Sequence, residues 1–496
     1  MLHDEKFEQI LDGLLEEYRL NIDQVASKDV VPSIASFYLL PKSRKKKKIK
    51  MSESSNKQLK VLQNLPDELM VRSLSFLPIQ SLLQTRVVSK LFRHTEIRSL
   101  DLDFSRIFSV ERSQLEVTNI IQNVFNKHEG MEINRFVLCP EGIDWEESVT
   151  SWINTCIGKN IQEIVLDFSK SREVVEIPID FSAIKTLTVL NLRWCKFDEI
   201  PNNSPEGLKL LKKLSLARTM TTKEMVDAIF TNCIHLELLE LIECGIYGIL
   251  TIPALNHKKF KSLVLSTMTN ITDIVVHAPT LEYFKYEGYV TNITFSTTDA
   301  LKEANIHYKR NRHIYDPSDM VISNMKDYTK VCVLATTNIF LEALIKRHVG
   351  GGRLERKGTF KFENLTDFKI SFNARSLCTL FEIAEFLKDC PKVERLVIDI
   401  QNFEYADRLE FWEIHLKEEI ENNNYLFMFL NEVKIIGYKN HWHELDIVEF
   451  FVKNAPALVK VDLEMPKNSK NKVHAPDNAR INFITSKFSA IKVTEV

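Results

Sequence analysis

Long apolar runs, a net charge and paired cysteines are what this sequence has least of. The longest apolar run, roughly residues 30–40, falls far short of the ~20 residues a membrane helix needs. The opening MLHDEKFEQIL lacks the basic start, apolar middle and small-residue cleavage site of a secretory signal. No membrane partner is expected, and the chain should work in the nucleus and/or cytoplasm. Lys+Arg 65 against Asp+Glu 67 leaves a formal charge of -2, so no global attraction to nucleic acid or anionic lipid exists. Any electrostatic partner must meet a local patch. Cysteines stand at 139, 156, 195, 233, 244, 332, 378 and 390, without C-x-x-C or His-Cys clustering at zinc spacing. They are expected to be reduced, mostly buried thiols, and the Asn-x-Thr triplets at Asn270 and Asn292 are discounted as glycosylation sites.

Motifs of catalysis are missing as well. Gly350, Gly351 and Gly352 form the sole glycine run, and no phosphate-cradling pattern surrounds it. No G-x-S-x-G, H-E-x-x-H or supported Cys-His pair occurs. His441-Trp442-His443 offers two His with no further ligands in range, and is read as a surface turn. Catalytic residues, cofactor and metal are therefore all expected to be absent, and the chain is not expected to be an enzyme.

What the 496 residues do contain is a soluble globular composition, 44% hydrophobic and 27% charged. Length allows about two to four domains unless a repeat extends one. Phe7, Ile10, Leu11, Leu14, Leu15 and Tyr18 predict one amphipathic helix of unknown role within residues 1–41. KSRKKKKIK at 42–50, followed by MSESSNKQ, predicts a disordered basic linker over 42–63. Such a run is read three ways: a nuclear localisation signal, a nonspecific phosphate-binding arm, or a merely solvated linker. Binding of nucleic acid is disfavoured, because the stacking aromatics it needs are missing beside the run. Residues 64–104 predict a compact helical unit. Pro66 suits a first helical turn, Asp67 and Glu68 face the positive helix end, and Pro78 closes the helix. About forty residues make little core alone, so part of this apolar surface should meet a partner.

Beyond lies a repeat of the form apolar-x-x-apolar-x-apolar: IQEIVL (161–166), LTVLNL (187–192), LKKLSL (211–216), LELLEL (236–241), FKSLVL (260–265) and LEYFKY (281–286). Starts are 26, 24, 25, 24 and 21 residues apart, within the leucine-rich-repeat range of about 20–29. A lone unit cannot bury its apolar face, so the units must stack under a parallel sheet. The fold class expected is α/β: a small helical unit followed by a leucine-rich-repeat solenoid with helical or irregular return segments. Regular repeats are expected over 105–345. The pattern weakens near ALKEANI (300–306), then returns irregularly over 346–465 as LTDFKI, VERLVI, NEVKII and LVKVDL, with NIFLEALIKRH and TLFEIAEFLKD read as helices and 466–496 as a polar tail. Cys195 and Cys244 stand where such repeats bond the turn, while Cys233 and Cys390 precede strands. Residues between the buried ones should form the concave face: Val189, Asn191, Arg193, Ser215, Leu238, Glu240, Ile242, Ser262, Val264, Ser266, Tyr283, Lys285 and Glu287. Their exposure, or cover by the chain's own loops, is left open by sequence.

LPDELMVRSLSFLPIQSLLQTRVVSKLFRHT (65–95) resembles the F-box, on Leu65, Pro66, Glu68, Leu69, Ser75, Phe76, Leu77, Pro78, Val88, Ser89, Lys90 and Arg93. Phe92 stands where that family usually has Trp. LNEVKIIGYKNHWHELDIVEFFVKNAPALVKVDLEM resembles the FBD-like region of plant F-box/leucine-rich-repeat proteins, through Gly437, Glu444, Leu445, Phe450, Phe451, Lys453, Asn454, Ala455, Pro456, Leu458 and Leu463. The resemblance spans about 64–465. It implies a non-catalytic substrate-recognition subunit of an SCF-type (Skp-cullin-F-box) ubiquitin ligase; the alternative is an F-box/repeat scaffold that binds partners without ubiquitination. A Skp-type adaptor, and through it a cullin, would meet Leu65, Pro66, Leu69, Leu82, Val87, Val88, Ser89 and Lys90. An unidentified target protein would meet Asn191, Arg193, Glu240, Tyr283, Lys285 and Glu287.

Overall fold

A computed structural model describes residues 99–105, 107, 113–127, 132–142, 145–171, 173–177, 184–197, 208–268, 270–309, 317–347, 354–356, 360–372, 380–402, 423–439, 442–465 and 491–495. The chain divides into two compact units, Met1–Ile179 and Asp180–Val496. The amphipathic helix and basic linker expected before residue 64 lie outside the described residues, as does residue 64–98 of the helical unit.

The first unit carries β1 (Ser99–Asp103), α1 (Gln114–Lys127), β2 (Glu132–Leu138), α2 (Glu146–Ile157), β3 (Glu163–Asp167) and β4 (Val175–Ile177). β1, β2 and β3 pair in parallel, which obliges each connection to cross over, and α1 and α2 are those crossovers. Residues 99–103, expected to close the helical unit, thus belong to this sheet. Ser113 starts α1 with a reciprocal cap: its Oγ accepts from Glu116 N at 3.3 Å, and Glu116 Oε2 accepts from Ser113 N at 3.0 Å. Phe104 and Phe125 both pack on Phe136, and Trp145 on Trp152.

In the second unit the chain runs β5 (Val189–Arg193), β6 (Cys195–Phe197), β7 (Lys213–Ala217), α3 (Lys223–Asn232), β8 (Leu238–Ile242), β9 (Gly248–Pro253), β10 (Ser262–Ser266), β11 (Ile271–His277), β12 (Tyr283–Tyr289), β13 (Asn292–Phe295) and β14 (Glu303–Lys309). It continues α4 (Ser318–Met325), β15 (Val333–Thr337), α5 (Asn338–Leu344), β16 (Ile345–Arg347), β17 (Leu354–Arg356), β18 (Asp367–Ser371), α6 (Leu380–Leu387), β19 (Arg395–Asp399), β20 (Glu432–Ile436), α7 (Trp442–Asn454), β21 (Lys460–Met465) and β22 (Ile491–Glu495). β5, β7, β8, β10, β12, β14, β15, β18, β19, β20, β21 and β22 form one run of parallel neighbours. Stacked, repeating strands with the return path on the other face make this the expected solenoid.

Return-segment form follows from repeat length. β8, β10, β12 and β14 start at 238, 262, 283 and 303, leaving 24, 21 and 20 residues per unit. A strand advances about 3.3 Å per residue and a helix 1.5 Å, so a short unit goes back as a strand. β9, β11 and β13 do this and pair into a second parallel sheet. Units from 303, 333, 367 and 432 are longer and return through α4, α5, α6 and α7. Thr222 caps α3 by accepting from Met225 N at 3.2 Å.

A rail of carbonyls precedes the strands. Thr188 O accepts the N–H groups of both Lys212 and Lys213; Lys212 O accepts from Glu237 and Leu238, and the same sharing continues through Glu237, Lys261, Glu282, Lys302, Cys332, Thr366, Glu394 and Asn431. Each repeat is thereby locked to the next by two bonds. At the other end of four strands sit residues in the left-handed region, Trp194, Arg218, Glu243 and Thr267. Their N–H groups donate to Ala217 O, Ile242 O, Ser266 O and Glu287 O.

Several polar groups inside the solenoid bridge its elements. Asn324, 1% exposed, donates to Thr291 O at 2.8 Å and Tyr308 Oη at 2.9 Å, and accepts from Ile293 N at 3.0 Å. One side chain thus joins α4, β13 and β14. Cys244 Sγ bonds Leu216 O of the preceding repeat at 3.3 Å, the turn-bonding role expected of it. Cys233 and Cys390 are buried, and their carbonyls accept from Leu236 N and Val393 N in the turns that enter β8 and β19. The described cysteines are free thiols. Burial pushes Cys139 up to about 11 and Cys233 up to about 12.

Four sequence expectations change. ALKEANI is no weak point, since β14 continues the ladder with Ala304, Ile306 and Tyr308 inward; Ala304 simply carries too small an apolar signal. NIFLEALIKRH is helical only as α5, because Ile345–Arg347 leaves as a strand pairing antiparallel with Leu354–Arg356. Of His441-Trp442-His443, read as a surface turn, Trp442 and His443 instead begin α7, and His441 lies outside the described residues. The polar tail supplies β22, which pairs with β21.

Candidate functional site

The outward face of the second unit is built by strict alternation. In β5, β12 and β14 the even-numbered leucines, aromatics and aliphatics are buried, in β8 the odd-numbered Leu239 and Leu241 are, and the residues alternating with them are half-exposed or exposed. The strand register aligns these partners in rows across the sheet. Leu238, Ser262, Tyr283, Glu303 and Val333 share one row; Glu240, Val264, Lys285, Asn305 and Ala335 share the next. Ile242, Ser266, Glu287 and His307 make a third.

Asn191, Glu240, Tyr283, Lys285 and Glu287 are half-exposed on this face, and Arg193 is exposed. The register brings Glu240, Tyr283, Lys285 and Glu287 together on β8 and β12 with β10 between them; Asn191 and Arg193 stand on β5, beyond β7. For Val264 and Ser266 the question left open by sequence is answered: at 8% and 9% exposure they are buried. Longer neighbours flank them, Glu240 and Lys285 beside Val264, Ile242 and Glu287 beside Ser266. Ser266 Oγ also donates to Glu287 Oε2 at 3.2 Å.

Charges on the face fall into two states. Glu287 is held by Lys309 at 2.9 Å, and this bond, ahead of smaller contributions, lowers its carboxyl below the ordinary range. Glu240 and Lys285 form no ion pair among the described residues. Burial raises the Tyr283 hydroxyl, with Glu303 adding to it, and burial lowers His307. Asn305 Oδ1 is buried without a hydrogen-bond donor among the described residues.

Sequence reading missed Glu303, Asn305 and His307 because it did not identify β14. Its alternation of Ala304, Ile306 and Tyr308 was the available signal. Val333–Thr337 was missed for a different reason: Thr336 points inward, 0% exposed, its hydroxyl donating to Ile306 O at 3.1 Å. An inward threonine breaks an apolar pattern while satisfying the core.

Towards the chain's other end, the same rows turn ionic. Arg395 meets Asp367 at 3.2 Å and Glu432 at 3.6 Å, and Lys460 meets Glu432 at 2.6 Å. Lys369 meets Asp399 at 3.4 Å, and Lys434 meets Glu464 at 2.6 Å. The FBD-like residues are structural here. Gly437 holds φ +82, and a Cβ on it would lie 2.5 Å from Gln401 Cα; Glu444, 0% exposed, accepts from Lys439 N at 2.8 Å. Asn454 Nδ2 donates to Phe450 O, while its own carbonyl accepts from Phe427 N, closing α7. Leu65, Pro66, Leu69, Leu82, Val87, Val88, Ser89 and Lys90 lie outside the described residues. No group of three or more His, Cys, Asp or Glu side chains suited to a metal occurs among the described residues.

Residues 124–487 match the family described as At1g61320/AtMIF1, LRR domain, and residues 62–95 match the F-box domain. The FBD-associated F-box protein At1g61320 of Arabidopsis thaliana is 59% identical over 456 residues, covering 91% of this chain and 99% of its own length. The F-box protein At3g62230 of the same plant is 22% identical over 449 residues, 83% of this chain and 92% of its own. F-box/FBD/LRR-repeat protein At1g13570, also from Arabidopsis thaliana, is 26% identical over 246 residues, 48% and 52% respectively.

Proposed function

The chain belongs to the At1g61320/AtMIF1 LRR-domain family and is a plant F-box protein, and from that premise we propose that it is the substrate-recognition subunit of an SCF-type ubiquitin ligase. F-box and leucine-rich repeats are protein-interaction domains, and their presence in one chain is the observation that carries the reading. In this reading Leu65, Pro66, Leu69, Leu82, Val87, Val88, Ser89 and Lys90 dock on a Skp-type adaptor. The outward face, with Asn191, Arg193, Glu240, Tyr283, Lys285 and Glu287, holds the target. No bond chemistry falls to this chain. It raises the effective concentration of a target lysine beside the ubiquitin-loaded enzyme, and the acceleration is one of proximity.

Co-purification of the full chain with a Skp-type adaptor tests the proposal. The wild type should retain the adaptor, and Leu65→Arg combined with Pro66→Ala should lose it. Retention by neither, or equally by both, overturns the reading. An adaptor-bound chain that never transfers ubiquitin to any bound protein in a reconstituted ligase would instead be the non-ubiquitinating scaffold.

A further inference from the structure

On the outward face Glu240 and Lys285 occupy the same row, on β8 and β12, with Val264 of β10 between them. Two strand spacings separate their backbones by roughly 9.6 Å. Neither forms an ion pair among the described residues, whereas the outward charges from β18 to β21 are joined in pairs. Between them the floor is closed by Val264. Leu238 and Tyr283 line one side, Ile242 and Glu287 the other, with Glu287 already engaged by Lys309 and Ser266. Lys285 lies within electrostatic range of Glu287 without forming an ion pair with it, and an opposite pair of charges held in no ion pair, on an apolar floor, is complementary to a ligand carrying the reversed pair.

We propose that this patch binds an extended, zwitterionic peptide segment of the target, with a basic residue over Glu240 and an acidic residue over Lys285. The proposal rests on the outward face being the target-binding surface. Spacing selects the segment. In polyproline II geometry, residues i and i+3 face the same way and stand about 9.3 Å apart at about 3.1 Å per residue, which matches two strand spacings. A β-strand brings same-side residues together at about 6.6 or 13 Å, an α-helical i, i+3 or i, i+4 pair at about 5–6 Å and an i, i+7 pair at about 10.5 Å, so the polyproline II spacing lies nearest. The segment therefore carries its charges about three residues apart, with an apolar or proline residue between them over Val264.

Short fluorescent proline-rich peptides test this against the full chain. One carries Lys and Glu three positions apart; others carry Lys/Lys, Glu/Glu or Gln/Gln there, and a further one sets Lys and Glu two apart. Fluorescence anisotropy should give the Lys/Glu peptide at least about tenfold tighter binding than any control, because like charges facing each other cost affinity. A chain with Glu240→Lys should change its preference to the Glu/Glu peptide, and one with Lys285→Glu to the Lys/Lys peptide. Such a switch requires a folded chain, so an unfolded variant cannot imitate it. No binding, equal affinity for all peptides, or variants that keep the wild-type preference would overturn the inference. Adaptor co-purification is read on the same preparations: its loss with peptide binding intact counts against the ligase reading alone, and the reverse result against this one alone.

Discussion

Two stretches of one sheet differ in what their outward charges do. From β18 to β21, Asp367, Arg395, Glu432 and Lys460 run as an alternating chain across four strands, with Lys369–Asp399 and Lys434–Glu464 beside it. From β8 to β12, Glu240 and Lys285 are left without such partners among the described residues. A charged ligand arriving at the first stretch must displace pairs already made, and gains little. At the second it meets charges held in no ion pair among the described residues. Surface pairs are worth about 0–1 kcal/mol each, so the difference lies in selectivity more than in stability. By this comparison the FBD-like part, which holds Gly437 and the buried Glu444, serves architecture, and the central repeats are the stretch to which the proposed recognition falls.

Substituting Gly437 breaks the architectural side hardest. Gly437→Ala should cost about 2–5 kcal/mol in denaturant unfolding, through a left-handed backbone and a forced approach to Gln401, while the folded fraction keeps its peptide preference. Loss of that preference would show the two stretches to be one functional surface. Next comes the seam where β13, β14 and α4 meet: Asn324→Ala strands Ile293 N, Thr291 O and Tyr308 Oη and should cost about 2–4 kcal/mol. A melting temperature unchanged from wild type would refute the seam.

Acidity should act third. Burial lowers both His257 and His307 from their ordinary value, so the unfolded chain binds protons that the folded one refuses. Stability is then complete above about pH 6.5 and falls as pH drops through and below it. The urea midpoint should be lower near pH 5.5 than near pH 7.5, and His257→Leu should narrow the gap; a gap unaltered by that change would place the proton uptake elsewhere. Least of all, Arg395→Ala should change stability by under about 1 kcal/mol and leave peptide selection untouched. A large loss of binding there would erase the contrast between the two stretches.

Legibility followed the size of inward side chains. Leu239, Leu241, Leu263 and Leu265 announce their strands, whereas Ala304 and Thr336 hide theirs because a methyl group and a bonded hydroxyl fill core positions without an apolar signature. The second sheet was invisible for another reason: whether a return segment is β9 or α3 depends on how many residues remain to cover a fixed distance. On the outward face, sequence placed Glu240 and Lys285 on the correct side of their strands. It could not indicate that Lys309 engages Glu287 while Lys285 stays unpaired, because that choice is made between strands.

The doubly accepting carbonyls from Thr188 to Asn431 act as a ruler for the whole family of faces this chain could present. A one-residue slip at any graduation forfeits two bonds and turns every side chain of that strand over. Loops behind the sheet, by contrast, have room to grow or shrink, as the units of 20 and 34 residues beginning at 283 and 333 do, without moving a mark on the front. New specificities are thus open to substitution on one side and insertion on the other, each without disturbing the scale by which a bound segment is measured.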